Sequence, residues 1–188
     1  MTVLNSYDLP HFLVSGVMRS GTSMMMHALG QSIPVYWRPR ENEEKWQGIG
    51  HHCYEPPIED QNAESFPFHP LYAGNLIKCF YTRIMNLTES SQFYIVYMLR
   101  DYEEIKESMK RVFETDNPIR ERSVYESTTQ GQIKALSQKK NVNLTVFNYQ
   151  DVLDRPLEAF VLLRENGWPI MPDKCAAVVQ PNKKTVRL

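Results

Sequence analysis

Apolar positions along this chain fall into runs of strand length separated by stretches with helical spacing. Phe12-Leu13-Val14-Ser15-Gly16-Val17 and Tyr94-Ile95-Val96-Tyr97-Met98-Leu99 are near-continuous apolar runs, the pattern of strands covered on both faces. The expected strands are Phe12 to Val17, Pro34 to Trp37, Leu76 to Phe80, Phe93 to Leu99 and Leu144 to Tyr149. Helices are expected from Thr22 to Gln31, Tyr102 to Phe113, Ile119 to Lys140 with an interruption, and Pro156 to Asn166. Asp154 is placed to cap the last of these, and Gly167 before Trp168-Pro169 to stop it. This alternation predicts an α/β domain with a mainly parallel sheet. Residues 38–71 break it, being rich in Pro, Glu and aromatics without a clean period. A stretch that long inside a compact domain is expected to be functional, here a cover over an acceptor site with short helical turns inside it.

Composition narrows the picture. The 188 residues, 42% hydrophobic and 23% charged, suit a single domain over 1–188 with a sizeable core. A net charge of −1 offers no global attraction to nucleic acid or to an acidic membrane, so any anion binding must be local. No apolar segment approaches bilayer-spanning length and no basic stretch precedes an apolar one at the N-terminus, so the expectation is a cytoplasmic protein. Cys53, Cys79 and Cys175 lie far apart without metal-ligand spacing, which predicts reduced thiols, Cys79 in the core, and no metal site.

The chemistry concentrates where the first strand stops. Gly16-x-x-x-x-Gly21-Thr22-Ser23 leads into the helix-compatible Met24-Met25-Met26-His27-Ala28-Leu29, the strand, loop and helix unit of an anion binder. A nucleotide-hydrolysing version carries Lys after the second glycine; here that position is Thr22, and the loop's only cation is Arg19. A Gly/Ser turn that binds nothing is the plainer alternative. Lys78 stands in an otherwise apolar strand, where burial is costly unless an anion meets it. Arg100 ends the Phe93 strand and Ser108 follows eight residues later. Together they could hold a phosphate, although Arg100 could equally pair with Asp101 or Glu104.

These strings resemble the sulfotransferases that use 3′-phosphoadenosine-5′-phosphosulfate, in a compact form of the bacterial or phage kind. Arg19-Ser20-Gly21-Thr22-Ser23 resembles their 5′-phosphosulfate loop, and Arg100-Asp101-Tyr102 with Ser108 their 3′-phosphate element, with Tyr102 where Pro is usual. The string from Leu144 to Pro156 resembles their strand, Tyr-Glu-Asp-Leu and Asp-x-Pro sequence with Gln150 at the Glu position; Gly167-Trp168-Pro169 and the tail Pro181 to Arg187 resemble their ending. Ile77-Lys78-Cys79-Phe80 resembles a Lys-x-His strand with Phe80 in place of the His that serves as base in many members. The likeness runs from about residue 11 to the C-terminus and loses register across the cover.

The resemblance implies a three-layer α/β/α domain with a mainly parallel five-stranded sheet in the phosphate-loop kinase order 2-3-1-4-5. That order would gather Arg19, Lys78 and Arg100 around one crevice beyond the strand ends. It further implies transfer of a sulfuryl group from the phosphosulfate cosubstrate to a hydroxyl or amine of a small-molecule or carbohydrate acceptor, without metal. Nucleotide contacts would come from Arg19, Ser20, Gly21, Thr22, Ser23, Arg100 and Ser108, and from Lys183, Lys184 and Arg187 if that basic cluster closes over the phosphates rather than remaining a solvated tail. Arg19 and Lys78 would act in catalysis. The base would be Glu55, in a string that loosely resembles a Gly-Tyr-x-Glu element, or His52, with His51 a further candidate. Trp37, Trp46, Tyr54, Phe66, Phe68 and Tyr72 offer ring faces to an acceptor or pack the cover on the core. Glu41, Glu43, Glu44, Glu59, Asp60 and Glu64 would repel a polyanionic one. A non-catalytic bisphosphate-binding module is the alternative. A small-molecule kinase is a weaker one, because of Thr22.

Overall fold

The strand His11–Gly16 (β1) is buried along its entire length, as its apolar run requires, and it sits inside the sheet. The computed structural model describes residues 9–36, 54, 56, 60, 62–113 and 121–179. Pairing is parallel throughout: β1 lies between Leu76–Lys78 (β2) and Phe93–Leu99 (β3), and β3 pairs with Val142–Asn148 (β4). The helices are Thr22–Leu29 (α1), Tyr102–Phe113 (α2), Arg122–Ser137 (α3), Tyr149–Asp154 (α4), Pro156–Glu165 (α5) and Pro172–Ala177 (α6).

Among the described residues the sheet thus has four strands in the order β2-β1-β3-β4, not the five expected in the order 2-3-1-4-5. The expected strand from Pro34 contributes one isolated parallel bridge, Val35 to Leu76. Leu76 N donates to the Pro34 carbonyl at 2.8 Å, and Tyr36 N to the Leu76 carbonyl at 2.9 Å. Pro34 has no N–H with which to extend that ladder.

Period-two alternation splits the core between the two faces. Phe12, Val14, Val96, Met98 and Phe147 pack with Met25, Met26 and Leu29 of α1 and Phe160 and Leu163 of α5. Leu13, Ile77, Ile95 and Tyr97 pack on the other face with Phe66, Tyr72 and Leu136. Phe66 and Tyr72, considered as acceptor-facing rings, are therefore core, and Phe68 packs against the same cluster. Cys79 is buried as expected, and burial pushes its thiol well above the ordinary range. Cys79 and Cys175 are free thiols.

Two helix-end expectations divide. Gly167 adopts φ 89° and ends α5; its N–H bonds the Arg164 carbonyl at 3.0 Å while Trp168 N bonds the Leu163 carbonyl at 3.1 Å, a Schellman closure. Asp154 does not cap α5. It ends α4 and accepts from Gln150 Nε2 at 2.8 Å, leaving Pro156 to start the helix. Among the described residues no helix is long and apolar enough to cross a membrane.

At the amino end of the sheet His11 is buried against Phe93, with ring centroids 5.2 Å apart. Burial pushes its imidazole below the ordinary value of 6.5, while bonds to the His69 and Phe68 carbonyls offset part of that. The folded state therefore binds its proton later than the unfolded chain does, and the contribution of neutral His11 is complete above pH 6.5 and lost as pH falls below it. Urea unfolding at pH 7.5 and 5.5 should show a drop in midpoint that His11→Phe reduces. Equal drops in the two proteins would remove His11 from the account.

Candidate functional site

Register carries the candidate residues to one edge. Gly16 ends β1 opposite Met98, Lys78 ends β2 opposite Val14, and Leu99 pairs with Asn148. Arg100 and Tyr149 therefore emerge side by side, next to the loop that follows Gly16.

That loop needs its glycines at two points. Gly16 has φ 147°, and a Cβ there would lie 2.5 Å from the Met98 carbonyl oxygen and 2.6 Å from Ser20 Oγ. Gly21 has φ 101°, and its Cβ would collide with the Tyr149 ring. Arg19 itself takes left-handed backbone at φ 69°, uncommon for a residue with a side chain. α1 begins after Gly21 without any side-chain cap, so its first-turn N–H groups await an outside acceptor. Ser20 Oγ is fully buried and has no hydrogen-bond partner among the described residues. Each feature suits an anion.

The loop and the second signal meet. Arg19 Nε donates to Ser108 Oγ at 3.0 Å, and Arg100 Nη1 donates to the Arg19 carbonyl at 3.1 Å. Lys78 Nζ donates to Ser23 Oγ at 3.0 Å on the opposite flank. Arg19, Arg100 and Ser108 are thus linked with one another, and Lys78 with Ser23. Ser108 can reach back because α2 starts immediately after Asp101, whose Oδ1 accepts from Glu103 N at 2.8 Å and Glu104 N at 3.3 Å. This cap supports the helical turn that Pro would otherwise preset, and Tyr102 is buried against Tyr125 instead.

Arg100 also forms the plainer contact considered for it, an ion pair from Nε to Glu104 Oε2 at 2.8 Å. Its guanidinium stacks 4.3 Å from the centroid of the Tyr149 ring. Arg100, Glu104 and Tyr125 line a cavity of about 410 Å³ with Asp101, Thr129 and Asn148. Tyr149 and Tyr125 were not among the expected site residues. The Asn-Tyr-Gln-Asp string does signal a turn, since Asn148 Oδ1 accepts from Gln150 N at 3.1 Å and starts α4. No local signal marks Tyr125.

A further polar contact joins α1 to the cover: His27 Nδ1 and Tyr54 Oη lie 2.9 Å apart. Among the described residues no group of His, Cys, Asp or Glu could hold a metal ion. The base candidates Glu55, His52 and His51 lie outside the described residues, as do Trp37, Trp46, Lys183, Lys184 and Arg187.

No known protein family matches the sequence, and no curated protein is significantly similar to it. Among solved structures, an unliganded sugar kinase from Janibacter sp. HTCC2649 superposes with a TM-score of 0.43 and 15% identity, covering 92% of this chain and 99% of that one. That likeness is too distant to bear on activity.

Proposed function

We propose that this chain is a sulfotransferase, moving a sulfuryl group from 3′-phosphoadenosine-5′-phosphosulfate to a hydroxyl or amine of a small-molecule or carbohydrate acceptor. The observation that carries this reading is the 3.0 Å bond from Arg19 Nε to Ser108 Oγ. It joins the loop suited to a 5′-phosphosulfate to the element suited to a 3′-phosphate, as a ligand with two anionic ends requires. The sheet is compatible with the phosphate-loop kinase arrangement once the Val35 bridge beyond β2 is counted as a reduced edge strand.

The chemistry follows from charge. In an in-line transfer the sulfur–oxygen bond to the 5′-phosphate breaks as the bond to the acceptor forms, and negative charge grows on the departing phosphate. The uncapped start of α1, Arg19 and Lys78 oppose that charge in fixed positions. Arg100 presents Nη2, which has no partner among the described residues, to the second phosphate beside Ser108. The acceptor's proton passes to a base supplied from elsewhere, Glu55 or His52, because Cys79 and Phe80 after Lys78 offer none: the one thiol is held protonated by burial.

Calorimetric titration should show adenosine 3′,5′-bisphosphate binding more tightly than ADP with magnesium. A preference for ADP with magnesium would overturn the proposal in favour of a kinase. Transfer of labelled sulfate from the phosphosulfate donor to a panel of sugars, phenols and amines separates an enzyme from a module that only binds: release of label to no acceptor favours the module.

A further inference from the structure

Resting on that reading, we infer that Tyr125 is a positioning residue for the second phosphate, acting on Arg100 from a helix that carries none of the anion ligands. Its hydroxyl closes on both backbone polar groups of Arg100: it donates to the Arg100 carbonyl at 2.7 Å and accepts from Arg100 N at 3.3 Å. One phenol thereby supplies the partners that a continuing strand would have supplied, at the residue where β3 stops. The residue is 7% exposed, its ring lies 5.9 Å from that of Tyr102 between centroids, and it shares one buried cluster with Val17 of the loop and Ile105 and Met109 of α2. The Val17 carbonyl in turn accepts from Ser20 N at 3.1 Å. Tyr125 thus belongs through its ring to the cluster that includes Val17 of the loop, and holds the start of Arg100 through its hydroxyl. Without the hydroxyl, the guanidinium keeps Glu104 and Tyr149 as neighbours but loses the fixed origin from which it reaches the Arg19 carbonyl.

The test uses a ratio that isolates Arg100. Adenosine 3′,5′-bisphosphate and adenosine 5′-monophosphate differ only in the phosphate assigned to Arg100 and Ser108. Tyr125→Phe keeps the ring and removes the hydroxyl; it should cut the preference for the bisphosphate by about tenfold while leaving affinity for the monophosphate nearly unchanged, the scale of one lost buried hydrogen bond. A preference that survives intact, or equal weakening for both nucleotides, overturns the inference. A wild-type protein with no preference for the bisphosphate refutes the sulfotransferase reading itself, and this inference with it. Should Tyr125→Phe not fold, hydrogen exchange in the wild type gives the answer: the Arg100 amide should be slowed further by the bisphosphate than by the monophosphate, and equal protection overturns the inference.

Discussion

Arg19→Ala should weaken adenosine 3′,5′-bisphosphate binding by about 100-fold, within the range found when one partner of a buried, hydrogen-bonded charge pair is truncated. Arg19 is the loop's only cation, and its side chain is the link to Ser108. The fold should tolerate the change. The left-handed backbone at Arg19, φ 69°, costs Ala about what it costs Arg, and the carbonyl that receives Arg100 Nη1 is retained. Arg19→Lys should fall between, since an ammonium restores charge but not a donor at the Nε position. Calorimetry with matched urea unfolding curves checks this: a loss of binding smaller than threefold with an unchanged midpoint would place the anion elsewhere. Under the proposed transfer, sulfate transfer should fall at least as far as binding, because the same guanidinium would face the charge that grows on the leaving phosphate.

How far the residues could be read in advance varied with how local their determinants are. The strand at Phe93 and the helix at Tyr102 are found where expected because an apolar run and helical spacing are local signals. The loop is also local: two glycines at fixed spacing, each with a steric reason in the structure. Pro34 to Trp37 is an expected strand, yet in its described part an edge position and a proline's missing donor leave only the Val35 bridge. α6 was not foreseen, since six residues carry little helical period. Phe66 and Tyr72 were open between cover and core; tertiary packing decided that, and the core took them.

The same distinction separates the site residues. Arg19, Lys78 and Arg100 could be named because each stands at or beside a strand end with a recognisable neighbour string, and Ser108 by its spacing from Arg100. Glu104 was visible only as an alternative partner, and the structure pairs it with Arg100. The two roles are compatible, since Nε faces the carboxylate and Nη2 has no partner among the described residues. Tyr125 reaches Arg100 from the first turn of α3, beside the residue where β3 stops. A contact across 25 positions, from a helix with no phosphate motif, has no periodicity to reveal it.

Gly21→Ala should be strongly destabilising for a single added methyl. At φ 101° the alanine meets left-handed backbone strain, and its Cβ is driven into the Tyr149 ring, which cannot retreat freely because Arg100 stacks on it. Strain and overpacking together predict a loss of about 2–4 kcal/mol in urea unfolding. Tyr149→Ala separates the two terms. In that background the ring is gone and only the backbone cost remains, so Gly21→Ala should cost at least about 1 kcal/mol less than in the wild type, a coupling of the size neighbouring residues show. Additive effects would mean that Gly21 serves φ alone and that the approach of Tyr149 is incidental. Coupled effects would tie loop, Tyr149 and Arg100 into one packed unit. In that case Gly21→Ala should also reduce the preference for the bisphosphate over the monophosphate, because a displaced Tyr149 ring displaces the guanidinium stacked on it.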